Sequence, residues 1–293
     1  MSYVADQRGR ALRTSRAGAI ALVVPDVSNA VFAELQRGVD SVVQQQNSAV
    51  LLSHIRDGHD LDAIVGRGRV DGVILQRAET MNDDTLRQVL RTDVPTVTFN
   101  SRLADRAGSV ILADQEAARV ATQHLIDQGH RQIGLLAGRE IHDAARRRRA
   151  GFMSCLRDNG LEVTAGAVVE GGWEAEDGGT AMTALLDLPS PPRAVVVASV
   201  NAGLGALAVA LDRGLRVPED LALVAVQDTW FAAVARPSLS VVQMPMRAAG
   251  CAAAEMIYAA LAGEDLVDLE ITDPPPRLVV RASSAPRAGN VQR

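Results

Sequence analysis

Residues Val195–Asp228, VVVASVNAGLGALAVALDRGLRVPEDLALVAVQD, constrain the fold more than any other stretch. Ala194–Ala198 is a short Val-rich apolar run of the kind that suits a strand buried on both faces. Ala202–Arg213 follows as an Ala/Leu-rich helix, with Gly214 at the position where a helix C′ residue is expected. Pro218 stops the helix from resuming, and Leu221–Val226 is a second apolar run. Strand, helix, strand is one βαβ crossover, which forces parallel pairing. Ligands of such sheets bind at the carboxyl ends of the strands. Here those ends are Ser199-Val200 and Gln227-Asp228.

The same rhythm extends over most of the chain. Strands are predicted at Ala19–Val24, Val50–Ser53, Gly72–Leu75, Pro95–Phe99, Ile133–Leu136 and Val168–Val169, and later near Leu269–Thr272 and Arg277–Val280. Helices are predicted over Val31–Gln46, Leu61–Arg67, Thr85–Leu90, Gln115–Gln128, Arg147–Asn159, Gly178–Leu186 and Arg247–Leu261. The fold class is therefore α/β. At 293 residues the chain accommodates two doubly wound parallel-sheet lobes. The lobes are expected over 17–113 plus 244–272 and over 114–243 plus 273–283, with a linker at 1–16 and a loose tail at 284–293. Two such lobes make a cleft that can close on a small ligand.

Composition excludes several classes. The chain is 47% hydrophobic and 22% charged, as ordinary globular proteins are, and only 3% aromatic, so the core must be aliphatic. A net charge of −5 argues against a surface that coats nucleic acid, although a local basic segment is compatible with it. No signal-peptide pattern and no bilayer-length apolar run is present, and a cytoplasmic protein is expected. Cys155 and Cys251 lack partner motifs and are read as small buried thiols. The five His show no metal-ligand spacing, and neither a metal nor a cofactor is expected.

Five segments carry a family resemblance: VVPDVSNAVFAELQRGVD (Val23–Asp40), HLIDQGHRQIGLLAG (His124–Gly138), RRAGF (Arg148–Phe152), GLRVPEDLALVAVQD (Gly214–Asp228) and PSLSVVQMP (Pro237–Pro245). In order and spacing they resemble the lactose/galactose-repressor family of bacterial transcription regulators, over nearly the whole chain. The resemblance implies the periplasmic-binding-protein type I fold, a small-molecule effector in the interlobe cleft, and a homodimer. Tyr3–Arg16 is similar to the family's hinge segment. Arg10 and Arg13 would then meet DNA phosphates, and Leu12 would wedge into the minor groove. Ala5 and Asp6 depart from the usual Pro and Asn, and a carboxylate facing phosphates weakens binding. The family's helix-turn-helix has no counterpart in these residues. Operator DNA is thus an expected partner only of a form that carries one.

The resemblance also assigns effector contacts. Phe32 matches an aromatic wall position, and Gln76 and Asn100 match polar contacts at strand ends. Arg148 falls on the arginine of an Arg-x-Ala-Gly pattern whose forked donors suit hydroxyls or a carboxylate. His142 lies in the loop before it, and Trp173 matches a ring-stacking aromatic. At the strand tips the chain leaves the family pattern. Ser199-Val200 stands for Asn-Asp, and Gln227 for the first Asp of Asp-Asp. A less acidic site holding Arg148 is expected to favour an anionic or amide-bearing effector over a neutral sugar.

Two other classes compete. Gly203–Ala208 fits GxGxxA, and Asp228 lies about twenty residues on, as in a dinucleotide-binding enzyme. The four residues from Ser199 to Ala202 make the strand-to-helix turn too long for that fingerprint, and no catalytic triad is evident. An extracytoplasmic sugar-binding protein of the same fold is opposed by the hinge-like Tyr3–Arg16.

Overall fold

The computed structural model describes residues 16–55, 68–78, 80–91, 93–103, 105–106 and 108–285. The hinge candidates Arg10, Leu12 and Arg13, and the helix expected at Leu61–Arg67, lie outside them. In chain order the elements are β1 (Ala19–Val24), α1 (Phe32–Gln45), β2 (Ala49–His54), β3 (Gly72–Gln76), α2 (Asp83–Val89), β4 (Thr96–Phe99) and β5 (Ser109–Leu112). There follow α3 (Asp114–Asp127), β6 (Ile133–Ala137), α4 (Asp143–Asp158), β7 (Val168–Glu170), α5 (Ala175–Leu186), β8 (Ala194–Val197), α6 (Val200–Asp212) and β9 (Ala222–Val226). The last are α7 (Trp230–Val234), β10 (Ser240–Gln243), α8 (Met246–Leu261), β11 (Leu269–Ile271) and β12 (Arg277–Val279).

The chain divides into two units, Met1–Leu112 with Met246–Ile271 and Ala113–Pro245 with Thr272–Arg293. The first contains a six-stranded sheet in the order β11-β5-β4-β3-β1-β2, in which every pairing is parallel. The second contains a six-stranded sheet in the order β12-β10-β9-β8-β6-β7, parallel except for β12 against β10. The inner strands β3, β4, β6, β8 and β9 are almost wholly buried, which explains the unbroken apolar sequences of β6, β8 and β9. The edge strand β2 is different: it leaves Leu51 and Leu52 exposed.

Three elements carry little sequence signal. β5 is only SVIL, α7 is five residues, and β10 is four residues inside the Pro237–Pro245 segment. Each lies below the length at which periodicity separates strand from helix. Helices α4, α5 and α6 begin earlier than expected, and for α5 and α6 side-chain caps lie upstream. Ser199 Oγ accepts from Ala202 N at 3.1 Å, and Asp177 accepts from Glu174 N at 3.2 Å.

Glycines bring the helices of each unit together. A Cβ on Gly38 of α1 would stand 2.1 Å from the Arg247 carbonyl, and one on Gly250 of α8 would stand 2.1 Å from the Leu35 carbonyl. Gly178 and Gly205 do the same for α5 and α6, at 2.0 Å and 1.8 Å from backbone oxygens, and Gly151 does so for α4 against α3, at 2.0 Å. The apolar face of α8 is therefore used inside the first unit, against α1, which removes much of the surface that Ala248–Ala260 offers for self-association. Cys155 is a buried free thiol whose pKa burial raises, and Cys251 is half-buried. Among the described residues no helix is long and apolar enough to cross a membrane.

Candidate functional site

In the second unit the carboxyl ends of β6, β8 and β9 and the loop after β7 carry Gly138, Ser199, Gln227-Asp228 and Trp173. Helix α4 brings two more side chains to this edge, His142 at its N-cap and Arg148 in its second turn. Arg148 is only 2% exposed. Its Nε donates to Asp114 Oδ1 at 2.7 Å, and its Nη1 donates to the Ala198 carbonyl at the end of β8. Its Cζ stands 5.2 Å from the centroid of the Trp173 ring, within cation–π range. The His142 ring meets the same indole edge-on, with centroids 5.9 Å apart and planes at 67°. His142 and Arg148 of one helix and Trp173 of a separate loop thus form one cluster.

Asp114 is a member of this cluster that sequence reasoning missed. It is wholly buried, and its second oxygen accepts from Arg147 Nη2 at 2.7 Å. Arg147 also pairs with Asp143. Asp114 and Asp143 thus share the Arg146, Arg147 and Arg148 guanidinium groups, and the Asp114–Arg148 pair is nearly dry, where an uncompensated charge would cost several kcal/mol. In sequence Asp114 looks like an ordinary acidic residue in the first turn of a helix. Its importance depends on α4 packing against α3, which Gly151 permits.

The remaining residues of the second unit differ from expectation in instructive ways. Ser199 caps α6 and donates its hydroxyl proton to the Trp173 carbonyl, so it positions the indole through the backbone. Gln227 has φ +74°, and its backbone N–H donates to Val242 at 2.9 Å; its side-chain amide makes no protein hydrogen bond among the described residues. Asp228 is held by Arg281 through two bonds of 3.0 Å and 2.8 Å, so its carboxylate is already neutralised. Gly203 packs on the sheet, where a Cβ would lie 2.9 Å from Ala225 Cβ, but Gly205 packs on α5. The GxGxxA glycines serve close packing, and only one of them faces the sheet.

In the first unit, Phe32 opens α1 half-buried and Gln76 ends β3. Gln76 Oε1 is buried without a hydrogen-bond partner. Asn100 is internally engaged: at φ +50°, it accepts from Leu112 N at 3.1 Å and ties the end of β4 to β5. Its side chain therefore has a structural task that its position at a strand end did not reveal.

Residues 122–284 match the family model described as a periplasmic binding protein-like domain. This agrees with the parallel-sheet units and makes the chain a binding protein of that class. A LacI family transcriptional regulator from Mycobacterium smegmatis superposes with a TM-score of 0.88 at 45% identity, covering 91% of this chain and 99% of that one. The CelR–cellobiose complex superposes with a TM-score of 0.83 at 29% identity, covering 94% and 89%. Catabolite control protein A of Priestia megaterium is 28% identical, covering 97% of this chain and 87% of its own. The chain belongs to the LacI family, and it comprises the effector-binding domain of a transcriptional regulator.

Proposed function

We propose that the effector is a small polar molecule with a ring face, of the sugar kind, and that the Arg148–Trp173–His142 cluster binds it. One observation carries this reading. A buried arginine and a tryptophan are assembled at the carboxyl ends of the strands, and Arg148 Nη2 makes no protein hydrogen bond among the described residues. In this reading Trp173 stacks on the ring, Arg148 Nη2 donates to an oxygen, and the Gln227 amide both donates and accepts. In the first unit, Phe32 and Gln76 are proposed as effector-facing residues of that unit's own sheet edge, with the orphaned Gln76 Oε1 as an acceptor. The anionic effector expected from sequence is disfavoured, because Asp114 already balances Arg148.

Binding shifts the conformational population of a cytoplasmic, non-enzymic regulator and so changes operator affinity in the form that carries a DNA-binding domain. Self-association into a homodimer is part of the same proposal. Supporting it, Trp230, 63% exposed, stacks on Phe231 at 3.9 Å beside exposed Val234.

Thermal-shift and calorimetric titration with a pyranoside panel that includes cellobiose, the ligand of the CelR complex, tests the effector reading. At least one neutral pyranoside should stabilise the protein, and Trp173→Ala should abolish the response. A response confined to non-carbohydrate metabolites overturns the sugar class. A response unchanged in Trp173→Ala overturns the site.

A further inference from the structure

We infer that Asp114 is a specificity-determining residue, which biases the site against carboxylated ligands. The inference rests on the reading of Arg148 as an effector contact. An arginine grips a carboxylate best through two parallel N–H donors. The single Nε proton of Arg148 is committed to Asp114 Oδ1 at 2.7 Å, which closes the side-on edge of the guanidinium to any ligand. Nη1 is turned to the Ala198 carbonyl, and Nη2 is the nitrogen without a protein partner among the described residues. The charge is also met from within. Asp114, at 0% exposed, pairs with Arg148 directly, and Asp143 meets Arg147, the second arginine on Asp114.

Arg148 therefore meets a ligand as a directed hydrogen-bond donor with its charge compensated. A hydroxyl or ether oxygen is satisfied by one such donor. A carboxylate would lose water and gain neither the side-on two-point grip nor an unbalanced positive charge. Asp114 touches no ligand in this account; it acts by occupying one edge of the guanidinium that does. Removing it frees that edge and unbalances the charge, and both changes favour an acid.

The test titrates D-glucuronate and D-glucose into the wild-type chain and into Asp114→Ala/Arg147→Gln, which opens the Arg148 edge and leaves the formal net charge of the protein unchanged. The double variant should bind D-glucuronate at least about tenfold more tightly than wild type, without a matching gain for D-glucose. Equal D-glucuronate binding in the two proteins, including none in either, overturns the inference. If circular dichroism shows the double variant unfolded, the shape-preserving Asp114→Asn is titrated instead, with a smaller gain in the same direction expected and no gain overturning the inference. Adding Arg148→Met to whichever variant gains should remove the gain. A gain that survives the loss of Arg148 overturns the placement of the ligand at Arg148 rather than the directional effect of Asp114.

Discussion

The Trp173 ring lies where a side chain at position 138 would be: a Cβ on Gly138 would stand 2.7 Å from Trp173 Cη2 and 2.8 Å from Cζ2. Real Cβ atoms do not approach a ring so closely. The glycine that follows the β6 strand thus makes room for the indole that covers Arg148. Gly138→Ala should displace the ring from the guanidinium, shift tryptophan emission, and lower stability by about 1–3 kcal/mol through overpacking. Fluorescence of the variant in a Trp230→Phe background, with urea denaturation, checks both. An unchanged Trp173 spectrum would show that the ring does not depend on this space.

Helix contacts inside each unit make a second, sharper expectation. In Gly250→Ala the new methyl meets a carbonyl oxygen at 2.1 Å, and backbone cannot swing aside as a side chain tip can. We expect a loss of about 3 kcal/mol by urea denaturation, the upper end of ordinary overpacking. Gly214→Ala is the contrast. Nothing lies within 4 Å of its Cβ position, but φ is +76°. Only conformational strain of about 1–2 kcal/mol is expected there.

Asn100 offers a direct separation of stability from binding. Its side chain accepts from the buried Leu112 N–H, and its φ of +50° is one that Asn tolerates better than Ala. Asn100→Ala should destabilise by about 1–3 kcal/mol, because a buried donor is left unpaired. The check is chemical denaturation alongside ligand titration at a temperature where both proteins are folded. A variant of wild-type stability with lost ligand response would reverse the assignment.

His124 sets an expected pH dependence. Burial lowers its pKa below the ordinary value of about 6.5, and contacts with Ser284 and Asp127 oppose this only in part. Its ring nitrogen lies 2.8 Å from Ser284 Oγ. Because the folded pKa is the lower one, the unfolded chain takes up the proton first as pH falls. The contribution to stability is complete above about pH 6.5 and is lost as pH drops from there through the folded value. The melting temperature should fall over that window, and His124→Gln should flatten this part of the profile. An identical profile in the variant would exclude His124 as the source.

Much of the fold is legible in the chain because its signals are local. Apolar runs such as Ala222–Val226 mark strands buried on both faces, and Gly129, Gly160, Gly214 and Gly263, all at positive φ, mark helix ends. Short elements escaped. SVIL at β5 and WFAAV at α7 are too brief for any period to be read.

The sequence by itself determined the α/β class, the order of most elements, and which side chains stand at strand tips, because these follow from alternation, helix period and turn residues. It also supplied Arg148, Trp173 and His142 as candidates through family resemblance. Tertiary structure alone decided what those groups touch. It assigned the Arg148 Nε to Asp114, the Ser199 hydroxyl to the Trp173 carbonyl, the Asn100 side chain to Leu112, and the Asp228 carboxylate to Arg281. A hydrogen bond depends on distance and direction between atoms that packing brings together from separate elements, here α3 with α4 and β8 with the loop after β7. No local pattern encodes that proximity, so whether a polar side chain already has a protein partner was settled only in three dimensions.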